Sequence, residues 1–288
     1  MRCPGDLKLR VLVCLAIVPL SSCLIRRRIV VPAGKHENRP LLSATKQELI
    51  QRVHGFSDAI QSFTMKADMS PSVGNLYGGK VTDYPTITGF ILFQKPDSIR
   101  VIGQDPVIHS TAFDMVSTGN DFRLSIPSKS QFFEGHNDTP PTSKNKLENL
   151  RPTAFLTSLI ISPPDPTADL TLLEDDTNES KAVYILMIAR RDQNQLRLIR
   201  NVYFDRYTLE IARQKTFDPV GGITSDTSYS DWKTYNGIRF PSTVDIQRPQ
   251  DGYELNLGIL EMTMNPLDLT AAKFVLNQPP GSQLKEMK

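Results

Sequence analysis

The sequence predicts an α+β chain in which antiparallel β-structure dominates, a strongly curved sheet or barrel of about a dozen strands with helices on its concave face. Three observations lead there. Apolar residues alternate with period two in segment after segment between Phe63 and Met264. The intervals carry hairpin-type turn residues, as in Asn236-Gly237 and Gln250-Asp251-Gly252. Helix-spaced apolar stretches occur once before the first strand and once in the middle. At 288 residues, 39% hydrophobic and 22% charged, the chain can bury a sizeable core and is neither disordered nor a multi-span membrane protein. With 33 lysines and arginines against 31 aspartates and glutamates, no basic excess argues for nucleic acid.

The N-terminus reads as an export signal. Arg2, Lys8 and Arg10 form a positive region, and Val11 to Leu20 is an apolar run about half the ~20 residues that a spanning helix needs. Cys3, Cys14 and Cys23 are the only cysteines, so the body of the fold has neither a disulfide framework nor a cysteine-ligated metal, which suits an oxidising compartment. Leu20-Ser21-Ser22-Cys23 resembles the lipobox of bacterial lipoproteins, in which cleavage leaves the cysteine first and its thiol diacylated; the competing reading is an ordinary cleavage site with an incidental cysteine. On the lipobox reading residues 1 to 22 are a lipoprotein signal peptide, and their loss leaves the mature chain neutral. Residues 23 to 44 then form a lipidated N-terminus and tether. Leu24 to Leu42 can reach at most ~60 to 70 Å when extended. Arg26-Arg27-Arg28 lies where anionic headgroups would be, although a plain solubilising charge run explains it equally well.

A single domain is expected over 45 to 281, followed by a tail over 282 to 288. Thr45-Lys46-Gln47-Glu48 fits a capping box, and Leu49, Val53, Phe56, Ile60 and Phe63 then share one helical stripe. The period switches to two at Phe63, Met65, Ala67 and Met69. Ile87, Gly89, Ile91 and Phe93 alternate up to Lys95-Pro96-Asp97, and strands follow over 99–102, 113–117 and 122–126 and at Phe132-Phe133. The loop Gln104 to Ser110 interrupts this meander and carries the apolar pair Val107-Ile108. Over 145–161, Leu147, Leu150, Phe155, Leu159 and Ile160 are helix-spaced on either side of Pro152, which predicts two short helices with a bend. Strands resume over 170–173, 182–189, 196–204, 209–216, 223–235, 238–246 and 253–264, with a last turn of helix near Leu267 to Ala272.

Several of these segments together resemble the LolA/LolB family of lipoprotein carriers and acceptors. They are Gly89 to Arg100 (a glycine, an apolar run, then Lys95-Pro96 and Ile99-Arg100), Ser117 to Pro127, Trp232 to Val244, Asn265 to Phe274 and Gln278-Pro279-Pro280-Gly281. The resemblance implies an incomplete, half-open antiparallel β-barrel of roughly eleven strands, its mouth covered by helices, around an apolar cavity for the acyl chains of lipids or lipoproteins. It implies acyl-chain contacts at Leu49, Val53, Phe56, Ile60, Ile91 and Phe93, and a membrane-insertion loop at Val107 and Ile108, a pair that could equally pack beneath its own loop. Cys23 puts the chain nearer the LolB arrangement, anchored at the periplasmic face of the outer membrane, with a periplasmic carrier protein as a possible partner.

Little else carries chemistry. His36, His54, His109 and His136 are scattered without metal-ligand spacing, and there is no G-x-S-x-G, Walker loop or G-x-G-x-x-G. Neither a metal, nor another cofactor, nor enzymatic activity is expected. Glu174-Asp175-Asp176 reads as a solvated turn, Asn178-Glu179-Ser180 as a chance sequon and Gly221-Gly222 as a turn. Two function classes remain, a lipid-binding module and a scaffold lipoprotein whose cavity is self-filled and whose sheet rim binds an envelope partner.

Overall fold

A computed structural model describes residues 40–75, 79–139, 151–178, 181–192 and 195–287. Cys23, Arg26 to Arg28, His36 and the expected helix over 145–150 lie outside the described residues. Helix α1 (Lys46–Ala59) opens on the expected capping box: the Thr45 hydroxyl accepts the Glu48 N–H at 3.3 Å, and the Glu48 carboxylate accepts the Thr45 N–H at 2.7 Å. Its last carbonyls also find donors. Lys95 Nζ reaches Ser57, Gln61 Nε2 reaches Asp58 and Asn265 Nδ2 reaches Ala59, at 2.7 to 2.9 Å.

Seven strands follow: β1 (Ser62–Asn75), β2 (Lys80–Asp83), β3 (Ile87–Gln94), β4 (Ser98–Gln104), β5 (Thr111–Thr118), β6 (Asp121–Ile126) and β7 (Gln131–His136). Helix α2 (Pro152–Leu159), with Pro152 in its first turn, separates them from β8 (Asp169–Asn178), β9 (Lys181–Asp192), β10 (Gln195–Asp205), β11 (Ile211–Phe217), β12 (Ile223–Tyr235), β13 (Ile238–Arg248), β14 (Tyr253–Met264) and β15 (Gln283–Met287). All join one sheet in the order β15-β7-β6-β5-β4-β3-β1-β14-β13-β12-β11-β10-β9-β8, with β2 added beside β1. Within the runs β3 to β7 and β8 to β14 sequence neighbours pair antiparallel, and β1 joins the two runs by pairing with both β3 and β14. The ends of the path, β15 and β8, do not pair with each other, so the sheet stays open.

The fifteen strands among the described residues exceed both the dozen read from periodicity and the eleven implied by resemblance. Two of the additional strands are short and polar. Lys80 to Asp83 pairs with the far end of β1, and residues 283–287, expected as tail, pair parallel with β7. A Cβ at Gly135 would come within 2.9 Å of Met287 Cβ, so the missing side chain there lets β15 approach. Strand β8 also runs on through the acidic residues expected as a turn. Asp175 takes a bidentate contact from Arg206 Nη1 at 2.9 and 3.0 Å, and Asp176 pairs with Lys181. The body starts slightly earlier than expected, because the Leu42 N–H donates to the Arg206 carbonyl at 2.7 Å.

One face of the sheet supplies nearly all of the core. Met65, Ile91, Phe93, Val101, Leu124, Leu186, Val202, Phe204, Val244 and Leu257 form one buried cluster with Leu49 and Val53 of α1 and Phe155 and Leu159 of α2. A small second cluster on the outer face (Val116, Phe132, Phe274, Leu276) packs the 3-10 turn Ala271–Phe274 and the segment after it. Arg100 and Arg123 pin this segment by donating to the Lys273 and Leu276 carbonyls at 2.9 and 3.2 Å. Arg100 is itself held by a bidentate pair with Asp114.

Candidate functional site

The inner face of the sheet brings together six of the eight apolar residues singled out from the sequence. Leu49, Val53, Ile60, Ile91 and Phe93 are 0% exposed. Strand alternation puts Phe63, Met65, Ile91 and Phe93 on one side, because Phe63 pairs with Phe93 and Met65 with Ile91. Phe63 and Phe93 sit with ring centroids 5.2 Å apart. Phe56 is half-buried at the edge of the cluster, against Phe240 and Trp232. The trough is therefore occupied by α1 and α2. An acyl chain could reach it only by displacing them.

The two helices are held differently. Helix α1 rests on its apolar stripe, with polar ties at its ends: Lys46 Nζ donates to the Thr171 carbonyl at 3.1 Å, and the C-terminal carbonyls are met as above. Asn265, at φ +50°, is the hub there, since its Oδ1 also accepts the N–H groups of Gln61 and Ser62 at 2.8 and 3.0 Å. The end of α2 is latched from the sheet instead. Gln214 Nε2 donates to the Thr157 carbonyl at 2.9 Å, Tyr229 Oη to the Ser158 carbonyl at 2.8 Å and Thr227 Oγ1 to Ser158 Oγ at 3.3 Å. Burial pushes the Tyr229 phenol far above its usual range, so it acts only as a neutral donor.

The remaining pair stands apart. Val107 and Ile108 are 81% and 72% exposed at the tip of the β4–β5 loop, so they do not pack beneath it. The tip is ordered by Asp105, whose Oδ1 accepts the N–H groups of Val107 and Ile108 at 2.8 and 2.9 Å, while its own N–H donates to the Ser110 carbonyl and its carbonyl accepts the N–H of His109. Those backbone donors hold the Asp105 carboxyl below the usual carboxylate range. His109 sits at φ +54° in the same turn. The strand directions place this loop at the same end of the sheet as the turns 218–222 and 249–252.

Cavities among the described residues lie away from the apolar trough, and the two larger ones are polar. One of about 620 Å³ opens at the β6–β7–β15 edge, where the Arg123–Glu134 ion pair and the His136–Asp121 contact border Phe274 and Met287. The other, of about 360 Å³, lies beside α2 against Thr216, Thr224, Arg248 and Tyr253, whose phenol is pushed up to about 12 by burial. Charged linings make both poor containers for hydrocarbon. No group of three or more histidine, cysteine, aspartate or glutamate side chains among the described residues is placed to hold a metal ion.

The polar residues of the inner face, Arg200, Gln214, Thr227 and Tyr229, and the hub Asn265 were not singled out from the sequence as site residues. For Thr227 and Tyr229 a signal was present. The segment Ile223 to Ser230 alternates with hydroxyl residues where an all-apolar core would carry valine or isoleucine.

No family model and no curated protein matches the sequence. Among solved structures the chain is similar to a DUF1329 family protein from Desulfovibrio piger (TM-score 0.55, 16% identity, covering 80% of this chain and 95% of that one). It is also similar to a LolA superfamily protein from Nitrosomonas europaea (TM-score 0.51, 12% identity, 81% and 99%). A domain from Vibrio parahaemolyticus carrying an outer membrane lipoprotein-sorting description is a third (TM-score 0.50, 13% identity, 79% and 94%). At such identities the likeness speaks to fold. The chain has a LolA-like fold, an open, mostly antiparallel sheet whose concave face is covered by helices.

Proposed function

We propose that this protein binds acyl chains of lipids or lipoproteins on the concave face of the sheet, α1 and α2 forming a lid that an incoming chain displaces, and that it serves lipid or lipoprotein transfer in the bacterial envelope. The observation that carries this reading is the continuous apolar trough, floored by Met65, Ile91 and Phe93 and roofed by Leu49, Val53 and Phe56 of one short helix. The magnitudes allow the exchange. Removing Leu49, Val53 and Phe56 of α1 and Phe155 and Leu159 of α2 from the trough costs about 7.5 to 15 kcal/mol at ~1.5 to 3 each, and burying about 14 methylenes of a C16 chain yields ~11 kcal/mol at ~0.8 each, so the two terms are of the same size. Binding of this kind requires no covalent step.

Cys23 is the proposed anchor, acylated after signal cleavage, with the outer membrane as its site. Two or more acyl chains give stable attachment. On this reading Val107 and Ile108 enter the bilayer during transfer, contributing about 3 to 6 kcal/mol, enough to bias release of cargo but too little to anchor the protein. A periplasmic carrier that hands over cargo is a proposed partner.

A second reading is favoured by one specific observation, the complete burial of Leu49, Val53, Ile60, Ile91 and Phe93. Here α1 is permanent core, and the protein is a scaffold that binds an envelope partner through its rim. Native mass spectrometry of the protein purified without its signal peptide separates the two. Co-purifying acyl species at one or more per chain support the lipid reading; a lipid-free chain that also takes up no added acyl probe supports the scaffold.

A further inference from the structure

Arg200 lies on the inner face of β10, where strand alternation puts it on the side of Val202 and Phe204, both fully buried. Its cross-strand neighbours are Ile188 on β9 and Thr216 on β11. Its Nε is buried without a hydrogen-bond partner, and the side chain makes no ion pair among the described residues. On the neighbouring strands β9 and β11, Arg190 is neutralised by Asp169 and Arg213 by Asp226. Burial lowers the affinity of Arg200 for its proton, yet a guanidinium stays charged at neutral pH. Asp169 acts on it only through space and is itself paired with Arg190, so among the described residues no carboxylate touches the Arg200 guanidinium.

Around Arg200 the inner face changes character. The aliphatic trough gives way to Gln214, Thr216, Ser225, Thr227 and Tyr229 on β11 and β12, and Gln214 Oε1 is a second buried polar atom without a partner. This patch holds the end of α2 through Gln214, Thr227 and Tyr229, so displacing α2 uncovers it. A hydrocarbon trough that runs into a desolvated cation matches an amphiphile with an acidic head.

We infer that Arg200 binds the anionic head, carboxylate or phosphate, of an amphiphile whose acyl chain occupies the trough. The inference rests on the acyl-binding reading above and adds the class of cargo to it. It is tested by competition binding to the signal-less protein with four probes: a fluorescent C16 fatty acid and its methyl ester, and vesicles of phosphatidylglycerol and of phosphatidylcholine. The acid should bind at least tenfold more tightly than the ester if the source is a free fatty acid, and phosphatidylglycerol should outcompete phosphatidylcholine if it is a phospholipid. Arg200→Gln should abolish the preference while leaving ester or phosphatidylcholine binding intact, and Arg200→Lys should restore part of it. Because Arg200 has no partner to lose, Arg200→Gln should unfold at or above the wild-type temperature. Equal binding of acid and ester together with equal binding of both vesicles, a preference that survives Arg200→Gln, or a lowered unfolding temperature in that variant would overturn the inference while leaving acyl binding standing. Failure of all four probes to bind would overturn the acyl reading and this inference with it.

Discussion

Phe56 of α1 stacks on Phe240 of β13, ring centroids 5.8 Å apart and planes within 17° of parallel, while its edge meets Trp232 of β12 at 5.8 Å and 72°. Here the helix and the sheet touch at a residue that is neither core nor surface. Phe56→Ala separates lid from core. Because the ring is half-buried, truncation should cost about 2 kcal/mol, less than the 3 to 5 of a fully buried phenylalanine. Uptake of an acyl probe should also change. Urea unfolding and probe titration check both; a loss above about 3 kcal/mol with unchanged uptake marks α1 as core.

Asn265 fastens the end of α1 to the starts and ends of two central strands, accepting from Gln61 and Ser62 and donating to Ala59. Asn265→Ala removes three hydrogen bonds and leaves a non-glycine residue at φ +50° without the local side-chain bonds that favour asparagine there. A destabilisation of about 1 to 3 kcal/mol is expected. Hydrogen exchange should rise first in residues 57–62, and protection unchanged there would contradict the role given to Asn265.

Gly55 lies mid-helix on the exposed side of α1, at an ordinary φ, and a Cβ built there meets nothing within 4 Å. Gly55→Ala should therefore stabilise the protein by about 0.4 to 1 kcal/mol, chiefly by restricting the unfolded chain. Thermal unfolding reads this directly, and a lowered midpoint would mean that α1 needs the glycine for movement or contact.

Changing Val107 and Ile108 together to serine should leave the unfolding temperature and acyl-probe binding unaltered, since both side chains are solvent-exposed, while slowing delivery of cargo to liposomes. The part of the loop's order that Asp105 supplies should be lost only in acid. The Asp105 carboxyl is held below its usual range by the Ile108 and Val107 amides, so its contribution is full above the unfolded value near 3.9 and is lost as pH falls through the lowered one. In a His109→Gln background, which removes the neighbouring imidazole, amide spectra of Val107 and Ile108 that shift between pH 7 and 5 would contradict this.

Cys23→Ser should move the protein from the membrane to the soluble periplasmic fraction and abolish labelling by a fatty-acid analogue. Unchanged fractionation would show that something other than this thiol anchors it.

Much of this structure was legible because period and punctuation agreed. The Thr45 to Glu48 cap, the switch of period at Phe63 and the Asn236-Gly237 turn each name a local geometry that few alternatives share. The additional strands were not legible, since Lys80 to Asp83 and Gln283 to Met287 owe their conformation to an edge supplied by distant residues. The same limit applies to the site. Leu49, Val53, Ile91 and Phe93 could be gathered because apolar residues on one stripe or one strand face must meet. Arg200 could not, because alternation in β10 is broken by a bulge between Leu198 and Arg200, which hides the face on which the arginine falls.

The central claim is that the trough is reached by moving the helices that fill it. Residues 24–288 contain no cysteine, so Lys46→Cys and Thr171→Cys, at neighbouring positions where Lys46 Nζ reaches the Thr171 backbone carbonyl at 3.1 Å, can be bridged by a cleavable thiol-specific linker to fix α1 on β8. Uptake of a fluorescent C16 probe is then measured before and after the linker is cut. Uptake blocked in the bridged protein and restored on cleavage is the expected result; equal uptake in both forms would contradict the claim.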